Sequence, residues 1–440
     1  MDTKSTSFTP IRILEIEISQ KLSDISAINK ESELKYGQLF CLIRLHSHPL
    51  GVLKIKLDKN LTTEILASHI WNELQQTINS HLEVDGLPHI DKLTPEGLPN
   101  QAEALCQKKL STFLEDVPPV TIVIATYNRI DTLKPCIESI LALEYPEYQI
   151  IVVDNAPHLP ATAKFMAEHY ADIDQIHYIQ EPRPGLAQAH NRGLVEIQTP
   201  IGIFTDDDVL VDKYWLAQLV KGFSAADNVA CVTGMIFPLE LNTQAQEWIE
   251  QYGGYSKGFE TTVYDLDENR INSPLYPYAA GTFGSGASMA LKIDALRKLG
   301  GFDPALGAGS FAKSGDDFAA FLGILLDGYQ LVYEPKAILY HLHPHEYESL
   351  RKRVYGYGVG LSAYLTKFML EKPSIIFDLA SKVPSGLMYL LNPKSEKNVG
   401  KTTDYPSELT HLEWQGLLYG PIAYLRSRWR TRNWRAEMGL

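Results

Sequence analysis

Three short segments carry residue types that could do chemistry. Phe204-Thr-Asp-Asp-Asp-Val209 sets Asp206, Asp207 and Asp208 in a row behind an apolar run. Adjacent carboxylates repel one another, so a chain keeps three together where a cation sits or where water is plentiful. Hard divalent ions such as Mg2+ or Mn2+ take oxygen ligands plus substrate phosphates, which a strand-end carboxylate cluster offers. A solvated turn capping a helix that starts near Lys213 accounts for the triplet equally well. Ser314-Gly-Asp-Asp-Phe318 opens an apolar helix. Acids at a helix start are favoured by the macrodipole alone, but a carboxylate held rigidly there could also serve as a general base. His341-Leu-His-Pro-His345 closes a strand-like run and could bind a metal, zinc included, or could simply be hydrogen-bonded histidine. In Arg183-Pro-Gly-Leu-Ala-Gln-Ala-His-Asn-Arg-Gly193, Gly185 stands at a helix start whose N–H groups could face an anion, or at a plain loop-to-helix junction.

The elements that must position these residues alternate. Val120–Ala125 is a continuous β-branched apolar run, as in a strand buried on both faces of a parallel sheet. A helix is predicted over 131–143, a buried strand over 150–153, a third strand over 176–179, a helix over 185–196 and a fourth strand over 201–205. Strands alternating with helices at this spacing mean βαβ units, and such sheets hold ligands beyond the carboxyl ends of their strands. Thr126-Tyr-Asn-Arg129, Asp154-Asn155 and the Asp206 triplet all fall at such ends. No G-x-x-x-x-G-K-[ST] loop or G-x-S-x-G elbow occurs, and Gly284-Ser-Gly-Ala-Ser-Met289 is no dinucleotide fingerprint.

Composition bounds the rest. The chain has 440 residues, long enough for two or three domains, with 40 Lys+Arg against 53 Asp+Glu and a net charge of −13. An acidic balance argues against nucleic acid as a partner. Four cysteines with no C-x-x-C pair exclude a thiolate zinc cluster and a disulfide scaffold, and fit a reducing cytoplasm. No run approaches the length of a membrane span. Residues 1–115 read as a small β-rich domain with strands over 11–18, 39–45 and 52–57 and a helix over 61–82. Residues 346–440 read as a helical extension with interrupted apolar stretches over 361–370 and 375–391. Its tail interleaves Arg426, Arg428, Arg430, Arg432 and Arg435 with Tyr424, Trp429 and Trp434. That extension could lie on an anionic membrane surface, at the inner face, or pack on the preceding domain.

Seven segments in order resemble a family 2 glycosyltransferase of the GT-A fold: VTIVIATYNR (120–129), IIVVDNAP (150–157), RPGLAQAHNRG (183–193), FTDDDV (204–209), FGSGASMALK (283–292), LGGFDPALGAG (299–309) and SGDDFAAFLGILLDGYQLVYEPKAILYH (314–341). The resemblance covers about residues 118–345. It implies a Rossmann-like, mostly parallel sheet with helices on both faces, and an inverting transfer from a nucleoside-diphosphate sugar to a hydroxyl of a glycan or lipid-linked glycan. Cell-surface polysaccharide or glycolipid synthesis would be the setting. It also implies roles for residues. Thr126, Tyr127 and Asp154 would hold the nucleotide base, with Arg129, Arg183, Gly185 and Asn191 around the nucleotide sugar. Asp206 and Asp207 would face the donor. Asp208, Asp206 and His341, with His343 as a fallback, would hold Mn2+ or Mg2+. Asp317 would be the catalytic base and Asp316 its neighbour, a departure from the family's Glu-Asp pair. Trp248 and residues 251–255 would lie in the acceptor region or in the core. The alternatives are a silent glycan-binding scaffold on the same fold and a sugar-phosphate nucleotidylyltransferase. The latter needs a Gly-rich basic loop after the first strand, which Ala125–Arg129 does not supply.

Overall fold

The computed structural model describes residues 8–29, 33–98, 103–156, 158–253, 257–395, 397–402 and 404–434. Of the residues singled out above, Pro157, Gly254, Tyr255 and Arg435 lie outside these. Contacts divide the chain into two compact units. One comprises residues up to Val117 with Pro238–Ile249 and Leu342–Tyr347, and the other Pro118–Phe237, Glu250–His341 and the residues from Glu348 onward.

In the first unit, alternating apolar residues build a small sheet. β1 (Ile11–Glu17) runs parallel to β2 (Gln38–Leu45), which pairs antiparallel with β3 (His48–Lys56). The β2–β3 turn needs left-handed backbone at His46 and Ser47 (φ 52° and 68°). Helix α1 (Thr63–Val84) buries Leu66, Ile70, Ile78 and Leu82 against Leu39, Cys41, Ile43 and Leu45, and α2 (Leu105–Leu114) follows.

The second unit is built on a nine-stranded sheet. Its strands are β4 (Val120–Thr126), β5 (Tyr148–Asp154), β6 (Ile176–Gln180), β7 (Ile201–Asp206), β8 (Val209–Val211), β9 (Val229–Pro238), β10 (Thr262–Tyr264), β11 (Met289–Lys292) and β12 (Gln330–His341). The order is β10-β12-β9-β11-β7-β4-β5-β6, with β8 on β12. Strands β6, β5, β4 and β7 are parallel, as the strand–helix alternation predicts, and every residue of β4 is buried. Past β7 the alternation stops and the sheet turns mixed. β11 is antiparallel to β7 and β9, and β12 is antiparallel to β8 and β10. The remaining helices are α3 (Ile130–Leu141), α4 (Pro160–His169), α5 (Leu186–Glu196), α6 (Trp215–Gly222), α7 (Gln244–Gly253), α8 (Ile293–Lys298), α9 (Asp316–Leu326), α10 (Tyr347–Glu371), α11 (Ile375–Leu391) and α12 (Ser407–Thr431). This is the mixed α/β architecture expected of a GT-A fold, with a small sheet before it and helices after it.

The interrupted helical pattern near residue 361 proves to be one 25-residue helix, α10. Gly356, Gly358 and Gly360 punctuate it because other backbone passes close by. A Cβ on Gly358 would meet the Glu413 carbonyl at 2.1 Å, and one on Gly420 the Val359 carbonyl at 2.4 Å. Helices α10 and α12 thus cross glycine on glycine. A different face of α10, that of Gly356 and Gly360, braces the start of α9: Ser314 Oγ donates to the Gly356 carbonyl at 2.9 Å, and a Cβ on Gly315 (φ 91°) would stand 3.0 Å from the Gly360 oxygen. Among the described residues no helix is long and apolar enough to cross a membrane.

Candidate active site

The acidic triplet closes β7, and its three side chains part company. Asp206 sits at the rim with its side chain 31% exposed, while Asp207 and Asp208 are buried. Arg129, at the start of α3, bridges the buried pair, with Nη1 2.9 Å from Asp207 Oδ1 and Nη2 2.7 Å from Asp208 Oδ2. Thr126, at the end of β4, donates its hydroxyl to Asp207 Oδ2 at 2.7 Å. The antiparallel register sets His341 opposite Val209, which carries its ring to the triplet. His341 Nε2 lies 3.4 Å from Asp208 Oδ1 and 4.0 Å from Asp206 Oδ2. The sequence segments at 204–209 and 341 are therefore one site. His343 belongs to the other unit, where its carbonyl accepts from Gln246 Nε2 at 3.2 Å.

Crowded negative charge marks the trio. Burial and the charges of Asp208 and Asp207 push the Asp206 carboxyl up to about 8. Burial pushes Asp207 up to about 6 against the pull of Arg129. Burial also opposes ionisation of Asp208, yet His341 and Arg129 hold it below the ordinary carboxylate value. Arg353 of α10, which no local sequence pattern points to, adds positive charge within reach of Asp206 and Asp208. The residues present fit a divalent ion: ligand atoms of Asp206, Asp208 and His341 lie within 4.8 Å of one another, and the buried Asp208 Oδ1 has no hydrogen-bond donor among the described residues. Oxygen-rich sets with one imidazole suit Mn2+ or Mg2+.

The second acidic pair opens α9 and divides likewise. Asp316 is buried, 3.7 Å from His190 Nδ1 of α5, and that ring is boxed by Phe204 and Phe302 at 5.4 and 5.0 Å. Asp317 reaches the opposite way, its Oδ2 accepting from the Gly286 N–H at 2.9 Å and its Oδ1 from the Phe318 N–H at 2.8 Å. Burial, then the neighbouring charge of Asp316, push the Asp317 carboxyl up to about 7. The segment holding Asp317 is itself pinned to the strand that ends in Asp206. Thr205 Oγ1 donates to the Ala287 carbonyl at 2.7 Å, and Met289 pairs with Phe204. Both acidic segments therefore share the carboxyl end of β7. The His190–Asp316 contact is not readable from the sequence alone. Its signal is a histidine inside the 183–193 motif, meaningful only once α5 and α9 are placed side by side.

The remaining residues fall around the parallel strand ends. Tyr127 presents a ring that is 54% exposed. Asp154 is fully buried, accepting from the Ala156 N–H at 2.9 Å and the Tyr178 hydroxyl at 2.7 Å. Arg183 forks onto buried Glu181, with Nε and Nη2 at 2.8 and 2.7 Å. Gly185 adopts φ 134° and donates its N–H to Asn155 Oδ1 at 2.8 Å. Asn191 spends its whole side-chain amide on Phe302, donating to its carbonyl and accepting from its N–H, both at 2.8 Å. Asn191 thus braces the loop that carries Phe302 and Asp303. Trp248 packs edge-on against Tyr347 at 5.6 Å within the first unit.

The profile of Glycosyl transferase family 2 matches residues 121–291, which carry the Thr126–Arg129 turn, Asp154 and the acidic triplet. Residues 121–291 are thus similar to a family 2 glycosyltransferase domain. The chain's curated relatives include a pre-mycofactocin glycosyltransferase of Mycobacterium tuberculosis, 27% identical over 239 residues, or 54% of this chain and 46% of that protein. They also include a poly-beta-1,6-N-acetyl-D-glucosamine synthase of Staphylococcus epidermidis, 23% identical over 54% of this chain and 53% of that one. The chain thus spans about half the length of the curated relatives it matches. Among solved structures, the mannosyltransferase PcManGT from Pyrobaculum calidifontis, in complex with GDP-Man and Mn2+, is 19% identical over 74% of this chain and 93% of its own, with a TM-score of 0.44. The Asp316–Asp317 segment and His341 lie beyond the matched residues, so their place beside the triplet rests on β11, β12 and α9.

Proposed function

We propose that this chain moves a sugar from a nucleoside-diphosphate sugar to an acceptor hydroxyl of a glycan or lipid-linked glycan, with inversion at the anomeric carbon. The observation that carries this reading is the arrangement at the end of β7. A three-ligand set of Asp206, Asp208 and His341 and a backbone-anchored carboxylate, Asp317, are tied to one strand through Thr205 and Met289.

The chain's own groups divide the work. Thr126, Tyr127 and Asp154 stand at the ends of β4 and β5, where the nucleotide base would sit, with the exposed Tyr127 ring available for stacking. Arg129 keeps Asp207 and Asp208 ionised and fixes their orientation. Asp206, Asp208 and His341 would hold Mn2+ or Mg2+, which when bound offsets the charge of the departing diphosphate. Asp317 takes the proton from the attacking hydroxyl, and its elevated pKa suits a base working near neutral pH. Arg183, Gly185 and Asn191 would shape the donor side of the cleft through Glu181, Asn155 and Phe302.

The setting we propose is polymer or glycolipid assembly beside a membrane. Helix α12 buries Ala423, Tyr424 and Ser427 and leaves Leu418, Ile422, Leu425 and Trp429 exposed along the opposite side, with Arg426, Arg428 and Arg432 exposed nearby. An apolar stripe flanked by arginines supports peripheral binding to anionic lipid.

The test is release of nucleoside diphosphate from a panel of nucleotide sugars with Mn2+, Mg2+ or chelator. Metal-dependent release from one donor class, abolished in Asp317→Asn, is expected. Release from none of them in the presence of candidate glycan acceptors would remove the transferase reading.

A further inference from the structure

A second set of metal-type donors lies in the N-terminal unit, assembled from three segments. His46 sits in the left-handed β2–β3 turn, His81 and Asp85 stand one helical turn apart at the end of α1, and Cys106 is in the first turn of α2. One ligand atom from each lies within 4.8 Å of all the others. Asp85 Oδ2 is 2.9 Å from His46 Nδ1, 3.1 Å from His81 Nε2 and 2.9 Å from Cys106 Sγ, and the two imidazole nitrogens are 3.2 Å apart. Two ring nitrogens and a sulfur thus crowd onto one carboxylate oxygen. A cation among them turns that crowding into coordination.

The surroundings hold the four in place. Glu17 takes the N–H groups of both His46 and Ser47, at 3.0 and 2.8 Å, and so sets the turn that aims the His46 ring. The other Asp85 oxygen accepts the Cys106 N–H at 2.9 Å, coupling the end of α1 to the start of α2. His46 and Asp85 are buried, and the His81 side chain is only 12% exposed. Orienting hydrogen bonds of this kind around a closed four-atom set are the usual company of a structural metal.

We propose that His46, His81, Asp85 and Cys106 form a tetrahedral Zn2+ site pinning the β2–β3 turn to α1 and α2. Two imidazoles, a carboxylate and a thiolate are a zinc donor set, whereas Mg2+ and Ca2+ require oxygen. Bonds of roughly 2.0–2.3 Å set tetrahedral ligand atoms about 3.3–3.8 Å apart, so the cluster opens by a few tenths of an ångström as the ion enters. Binding displaces the Cys106 thiol proton to solvent. The absence of a C-x-x-C pair hides this site in the sequence, because its ligands are separated by 35, 4 and 21 positions.

The experiment is titration of the full chain with Co2+ alone, read by visible and near-ultraviolet absorption, followed by displacement with Zn2+. The acidic site has no thiol among its three ligands, and Cys136 Sγ is turned to the Asp206 carbonyl at 3.5 Å, outside that set. Among the described residues, only the N-terminal cluster can therefore give a thiolate-to-cobalt charge-transfer band together with tetrahedral visible bands. Both are expected in the unmodified chain and in Asp208→Asn, and both are expected to vanish on Zn2+ addition. Cys106→Ser and His81→Gln, checked for folding by circular dichroism, are expected to bind Co2+ at least about 100-fold more weakly. No charge-transfer band in the unmodified chain, or a band that survives Cys106→Ser, overturns the proposal.

Discussion

Asp316 and Asp317 are adjacent at a helix start, yet their surroundings assign them different work. Asp316 faces His190 in an aromatic box, and Asp317 is presented on two backbone N–H groups with its carboxyl pushed up to about 7. Asp317→Asn is therefore expected to lower kcat on the order of 10²–10⁴-fold while leaving nucleotide affinity within a few fold. A base acts only when ionised, so kcat/KM should fall as pH drops below about 7. Replacing Asp316 by Asn removes the neighbouring charge that helps raise this pKa, so the acid limb of the pH profile should move to lower pH. An unmoved limb would show that another group sets it. At this scale the acids and His341 are singled out in the sequence by the resemblance of seven ordered segments, since the triplet alone reads equally well as a solvated turn. His190, Arg353 and the Glu181 partner of Arg183 are not, since each acquires its part from a neighbour more than one element away or from burial that no local pattern encodes.

Helix α10 is where local preference and packing disagree. Three glycines within five residues weaken a helix by about 1 kcal/mol each relative to alanine, and Lys367 and Glu371 interrupt the apolar pattern that follows them. Packing overrides that preference, since α10 can approach α12 and the Ser314–Gly315 turn only without side chains at those points. Gly358→Ala places a methyl group 2.1 Å from the Glu413 carbonyl, so the helices must part. The expected cost is roughly 1–3 kcal/mol, measured by denaturant unfolding. A slower kcat should accompany it, because α10 also buttresses the turn before Asp316 and Asp317. A variant as stable and as active as the parent would remove that bracing role. The parallel strands are legible for the opposite reason. Continuous β-branched runs such as 120–125 agree with their burial on both faces, whereas β11 and β12 owe their antiparallel pairing to long-range order.

On the scale of the molecule, the C-terminal extension packs on the residues before it, and its contact with a membrane is our proposal. One side of α12 packs within the second unit, with Tyr424 donating to Asp303 at 3.0 Å and the Phe311 N–H donating to Ser427 at 2.9 Å, while the apolar stripe from Leu418 to Trp429 remains outside. Mixed with vesicles containing anionic lipid, the chain should float with them at low salt. Replacement of Leu418, Ile422, Leu425 and Trp429 by Ser should abolish flotation without loss of fold. Equal flotation of both proteins, or of neither, would rule out the membrane contact. Everything proposed for catalysis depends on the donor site, which calorimetric titration with nucleoside diphosphates and their sugars, with and without Mn2+, probes most directly. Mn2+-dependent binding of one nucleotide class is expected, lost in Asp208→Ala and kept in Asp317→Ala. Binding of no nucleotide with or without the metal, or equal binding in Asp208→Ala, would contradict the assignment of the β7 carboxylates to a metal–diphosphate site.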